Sequence, residues 1–234
     1  MSSGSTAPRG NVKRSGLLAK RAGALLLFIL LSFSSPALAR ASVVGLWHLD
    51  ESTGTTAKDS SGKGHDGHII GPMTLGVSGK LNTAYSFVPK SAISVPDAPD
   101  LRPGKANVSI SYWMKATMPP SSGDYDMFVK GEAGSSGGQI KLEVLPNGQA
   151  LCKFRGSLGS KGLQAGPDLL DGRWHHVTCQ RKDNKIIQTV DGDTHSVTKA
   201  TGSITVGTEI RIGSHMGGGD WYRGVLDEVT YSIG

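Results

Sequence analysis

Beyond Val43 the chain never runs far without a turn. Its 234 residues include 33 glycines and 11 prolines, and between them lie short runs rich in Val, Ile, Thr and aromatic side chains. Glycine accepts the positive φ angles of tight turns, while proline fixes φ and removes a donor, so both interrupt regular elements. No stretch sustains the 3.6-residue apolar period of a long amphipathic helix. Segments this short, bounded on both sides by turn residues, read as strands.

The runs can be placed. Val43 to Leu49 (VVGLWHL) is an apolar strand, followed by a turn-rich loop from Asp50 to Gly67. Further strands are expected at Ala84 to Val88, Ala92 to Val95, Val108 to Lys115, Asp126 to Lys130, Gln139 to Val144 and Gln149 to Phe154. Trp174 to Arg181, Lys185 to Val190, Glu209 to Ile212 and Gly224 to Tyr231 complete about a dozen. Val108, Ile110, Tyr112 and Met114 alternate with the period of two that puts them on one face of a sheet. Asn147-Gly148 and Asp191-Gly192 are hairpin turns, because these pairs readily take positive φ. So many short strands fit two packed antiparallel sheets, an all-β sandwich, and no internal repeat is visible.

Residues 1–41 stand apart. Arg9, Lys13, Arg14, Lys20 and Arg21 precede an apolar run from Ala22 to Phe33 with no acidic residue, the n- and h-regions of a secretory signal. Ala37-Leu38-Ala39 and Ala39-Arg40-Ala41 offer cleavage sites after Ala39 or Ala41, and the run is shorter than the ~20 residues that span a bilayer. A secreted, extracellular chain without a membrane span after cleavage is therefore expected, with one domain over 42–234. The leader holds six of the 25 Lys and Arg and none of the 19 Asp and Glu, so the remainder carries 19 of each sign. A neutral balance lacks the electrostatic footprint of nucleic-acid binding. Two cysteines in an exported chain, Cys152 in LCKF and Cys179 in VTCQR, point to one disulfide.

Four segments carry a family signal: GLWHLDE near the start, DSSGKGHDG (Asp59 to Gly67), DGRWHHVTCQRKDNKIIQTVDG in the middle and RGVLDEVTYS (Arg223 to Ser232) at the end. Together they resemble the laminin-G-like family of concanavalin A-type lectin and glucanase sandwiches, over nearly all of 42–234. The resemblance implies a jelly-roll β-sandwich that binds a glycan or cell-surface polysaccharide. It also implies a structural Ca²⁺. Asp59 heads a curled glycine loop, and a hard cation takes six to eight oxygens from carboxylates, carbonyls and water. By resemblance Asp227 is the second carboxylate and Gly62 a carbonyl donor. The competing reading of Asp59 is an Asx turn, in which the carboxylate accepts backbone N–H groups and no metal.

The same resemblance includes hydrolases, but glycoside hydrolysis needs two carboxyl groups facing one bond. Asp227 and Glu228 are adjacent in a strand and point to opposite faces. The Glu-x-Asp-x-x-Glu strand of glucanases on this sandwich is absent. A hydrolase would have to draw on loop carboxylates such as Asp124, Asp126 or Asp220. The expectation is a noncatalytic chain. A protein-interaction or adhesion domain is the alternative, with an extracellular protein as partner.

His175 and His176 diverge across a strand, and the remaining histidines lack metal-ligand spacing. In the family the DGRWHHV stretch places Trp174 in the core, and Trp47 and Trp113 also sit in apolar strand patterns. Sugars stack a C–H face on an aromatic ring and hydrogen-bond their hydroxyls to polar side chains. The glycine-rich segment GSHMGGGDWYRG supplies His215, Asp220, Trp221, Tyr222 and Arg223 as candidate contacts, and Tyr125, between Asp124 and Asp126, is another. Tyr222 has a second reading as a core cover next to the last strand.

Overall fold

A computed structural model describes residues 41–234; of the expected leader, only Ala41 lies among them. In chain order the strands are β1 (Ser42–Trp47), β2 (Thr56–Ala57), β3 (Gly67–Ile70), β4 (Thr74–Ser78), β5 (Thr83–Phe87), β6 (Ala92–Val95), β7 (Val108–Lys115) and β8 (Tyr125–Lys130). They continue with β9 (Gln139–Val144), β10 (Ala150–Gly156), β11 (Gly159–Ala165), β12 (His175–Lys182), β13 (Lys185–Val190), β14 (Asp193–Thr198), β15 (Ile210–Ile212) and β16 (Gly224–Ile233). A single turn of 3₁₀ helix, Pro99–Leu101, is the helical content of the described residues. No helix among them is long and apolar enough to cross a membrane.

The strands form two antiparallel sheets. One runs β14-β13-β12-β7-β16-β5-β4, with β1 also paired to β16; the other runs β11-β10-β9-β8-β15-β6-β3-β2. Each sheet turns an apolar face inward. Val108, Ile110, Tyr112 and Met114 of β7 are buried as their alternation requires, and so are Val177 and Cys179 of β12. Phe128, Leu142 and Phe154 answer from the other sheet. Cys152 of β10 and Cys179 of β12 form a disulfide that ties the two sheets together, with Cα atoms 5.6 Å apart.

Sequence patterning missed five strands. β11 (GSKGLQA) and β14 (DTHSVT) are outermost strands. Their backbones pair along the full length of β10 and β13, and that ladder, rather than side-chain propensity, makes them strands. The two-residue β2 falls inside the stretch read as a loop, β3 begins at its last residue, and β4 (TLGVS) carries an irregular register against β5.

Two tryptophans expected in the core are not there. Trp113 is on β7 between the inward Tyr112 and Met114, so it faces outward. There it is half-buried, 4.8 Å from the His176 ring, with the Lys80 ammonium 4.5 Å above it. Trp174 is half-buried just before β12. Trp47 is wholly buried, and its indole N–H donates to the carbonyl of His65.

Candidate functional site

Two connections cross from one sheet to the other at the same end of the sandwich. Residues 116–124 lead from β7 to β8, and residues 213–223 lead from β15 to β16. Their backbones are stitched together: Asp126 N–H donates to Asp220 O (3.0 Å), and Tyr222 N–H to Gly213 O (2.9 Å). Between them lies a cavity of about 240 Å³, lined by Pro89, Pro120, Ser121, Ser122, Asp124, Tyr125, Gly219, Asp220, Trp221 and Arg223. Two candidate segments almost a hundred residues apart in sequence thus meet at one place.

The six expected ligand contacts separate there. Asp220, Trp221 and Arg223 line the cavity with accessible surface. Tyr222 does not: it is fully buried, and its hydroxyl lies 3.1 and 3.0 Å from the carbonyls of Lys115 and Val225. Its ring meets that of Tyr125 edge-on, with centroids 5.4 Å apart, and Phe87 lies at 5.8 Å. Tyr125 is equally buried and donates its hydroxyl to Met118 O, so it closes the cavity wall and offers no open face to a sugar. Of the two readings of Tyr222, the core cover is the one realised, and the tyrosine pair cements the two crossovers. His215 stands outside the cavity; its Nδ1 faces the Gly217 N–H and braces the glycine turn.

The acidic side of the cavity was only half legible. Asp124, Asp126 and Asp220 each direct a carboxylate oxygen to within 4.8 Å of the others. Asp126 faces Glu143 across the β8–β9 ladder, and Lys141 sits among them. The Lys141 ammonium is 2.5 Å from Glu143 Oε1, 3.0 Å from Asp126 Oδ1 and 3.5 Å from Asp124 Oδ1. Burial pushes the Asp126 carboxyl up to about 8, against the pull of Lys141. Burial also opposes charge on Lys141, but its carboxylate neighbours outweigh that and hold its pKa above the ordinary value. Asp220 has a positive φ of 45°, and a Cβ at Gly123 would collide with its carboxylate, so glycine at 123 leaves the carboxylate its room.

Asp59 is engaged by its own loop and by β1. Its Oδ1 accepts N–H groups from Leu46 and Ser61, and its Oδ2 accepts the Ser61 hydroxyl and the His65 N–H, all at 2.7–3.0 Å. Burial alone would raise its pKa, but these donors lower it below the usual carboxylate range. With both oxygens doubly engaged, Asp59 has no lone pair left for a metal, and Gly62 is out in solvent. The loop instead positions the His65 carbonyl that receives the Trp47 indole. Asp227 is separately occupied: Oδ2 accepts the N–H groups of Lys80 and Leu81, while Oδ1 is buried without a partner. Of the expected calcium ligands, Asp59 is therefore fully engaged by protein donors, while Asp227 keeps one buried oxygen unpaired.

His175 and His176 diverge as expected. His175 is buried, with Nδ1 2.7 Å from Asp191 Oδ2 and Nε2 2.9 Å from Asp171 Oδ1. Burial lowers its pKa, but the two carboxylates outweigh that and raise it on balance.

Comparison with known proteins agrees with the architecture. Domain 4 of AbnA, a GH43 extracellular arabinanase from Geobacillus stearothermophilus, solved in complex with arabinotriose, superposes with a TM-score of 0.62 at 17% identity. The match covers 83% of this chain and 93% of that domain. The botulinum neurotoxin serotype D binding domain gives a TM-score of 0.59 at 15% identity, covering 81% of this chain and 47% of that one. Domains LG4-5 of the mouse laminin α1 chain give 0.51 at 17% identity, covering 63% and 40%. Identities this low establish the fold alone. A search of curated proteins finds no matching relative. The profile of the Laminin_G_3 family, described as the concanavalin A-like lectin/glucanases superfamily, matches residues 89–232, and the chain belongs to that family.

Proposed function

We propose that this chain is a secreted, noncatalytic module that recognises a sugar residue or chain end of an extracellular glycan at the cavity between residues 120–125 and 219–223. The observation that carries the reading is the meeting of an accessible indole, a guanidinium and two carboxylates in one concavity, on loops held by the buried Tyr125–Tyr222 pair. Trp221 supplies the apolar platform, and Arg223 and Asp220 the polar partners that fix orientation. The cavity is smaller than the ~300–1,000 Å³ of sites for drug-sized ligands, which favours one ring or a terminus over a long bound polymer.

Solved relatives of the same fold favour a binding role. One is an arabinanase domain holding arabinotriose, and another is described as a toxin binding domain. The carboxylates at the cavity argue against hydrolysis. Glycoside hydrolysis needs two carboxyl groups facing the substrate, and Asp126 is wholly buried. The test is a glycan panel probed with the parent protein, Trp221→Ala and Arg223→Ala. Saturable binding weakened at least tenfold in both variants supports the reading. Binding only to proteins, or release of sugar product, overturns it.

A further inference from the structure

Three carboxyl groups converge beside the cavity, with the Lys141 ammonium as the nearest cation. Lys141 lies closest to Glu143 and touches one oxygen of Asp126; its contact with Asp124 is longer, at 3.5 Å. The Asp220 carboxylate has no hydrogen-bond or ion-pair partner among the described residues. Asp126 is 0% exposed, and its Oδ2 has neither a hydrogen bond nor an ion pair. A buried carboxylate oxygen left without a donor is costly, and such groups are normally paired or bound to metal.

The geometry points to a divalent-cation site at Asp124, Asp126 and Asp220, of the hard, oxygen-seeking class of Ca²⁺. Ca²⁺–oxygen distances of 2.3–2.6 Å put opposite ligands roughly 4.6–5.2 Å apart and adjacent ones closer. Three oxygens mutually within 4.8 Å can therefore share one such ion. Asp124 and Asp126 come from the head of β8 and Asp220 from the other crossover, so an ion here clamps the two loops that form the cavity. Asp124 and Asp220 border the cavity and leave the ion reachable by solvent, which completes its shell with water. This site is separate from Asp59, Gly62 and Asp227, and it is read without any sugar.

The test uses terbium(III), an oxygen-binding substitute for calcium that emits when excited through a nearby indole; Trp221 adjoins Asp220. The expected result is saturable emission from the purified protein that Ca²⁺ displaces. Calorimetry with Ca²⁺ alone should give a dissociation constant on the order of 10⁻⁴ to 10⁻³ M, as in extracellular modules. Asp220→Asn, on a partly exposed loop, should weaken binding at least tenfold without altering the thermal melt; Asp126→Asn should weaken binding too, but with a changed melt because it also removes the buried ion pair with Lys141. Trp221→Phe should dim the emission while leaving the Ca²⁺ affinity intact. No saturable binding of either ion, or parental affinity in Asp220→Asn, overturns the site. Ion binding is read without any sugar and the glycan panel with Trp221→Ala and Arg223→Ala, so failure of one proposal is distinguishable from failure of the other.

Discussion

Replacing both Cys152 and Cys179 with alanine removes the covalent link between the sheets, and its cost can be worked from the chain. The bridged residues are 27 apart in sequence and their Cα atoms lie 5.6 Å apart in the fold. In the chain-entropy account a loop of that length restricts the unfolded ensemble by about 3.5 kcal/mol at 25 °C. Both sulfurs are buried, so the truncation adds roughly 1 kcal/mol or more of lost packing. For the 194 described residues the unfolding entropy is about 0.4 kcal/mol/K, so the entropic part alone lowers Tm by roughly 9 °C. Calorimetry of parent, double variant and parent in reductant separates the contributions. Reduction reports the loop term; the difference between the reduced parent and the double variant reports packing. A loss under 1 kcal/mol on reduction would refute the unfolded-state argument and mean that the unfolded chain keeps these segments together without the bond.

Asp59→Ala should destabilise by roughly 2–4 kcal/mol, because four donors lose a charged acceptor. EDTA should leave that loss unchanged in denaturant melts, whereas an EDTA-sensitive loss would restore Asp59 as a metal ligand. Because the folded pKa of Asp59 is depressed, its contribution is present above the unfolded value of about 3.9 and disappears as pH falls through the folded value. His175 behaves in the opposite sense: its folded pKa is raised, so its stabilisation is complete below about pH 6.5 and is lost as pH rises through the folded value. Melts from pH 5.5 to 9 should show that decline in the parent and not in His175→Gln; equal slopes would refute the ion-pair assignment. Gly123→Ala should displace the Asp220 carboxylate and weaken Ca²⁺ binding, which calorimetry of the variant would show.

The sandwich was legible because its central strands announce themselves. The alternation through β7 and the apolar β1 demand a buried face, and Asn147-Gly148 and Asp191-Gly192 fix two hairpins. The outer β11 and β14 were not legible, since a backbone ladder needs no particular side chains. Trp113 was misjudged on hydrophobicity although its own strand's alternation assigns it outward. The site was visible only in halves. Tyr125 with its flanking aspartates and the Asp220–Arg223 segment each stand out as candidate contacts, but nothing local makes them neighbours. What joins them is the crossing of two connections at one end of the sandwich, a property of topology that no local pattern encodes. Asp59 was ambiguous for a different reason: an Asx turn and a calcium ligand share one sequence signature, and only the count of donors around the carboxylate separates them.

The central claim is that the cavity beside Trp221 recognises sugar, and glycan-panel binding of the parent protein alongside Trp221→Ala tests it most directly. The account predicts saturable binding to a restricted set of glycans, lost in the variant while its melt stays parental. Binding that persists unchanged in Trp221→Ala, or a parent that binds no glycan on the panel, would contradict it.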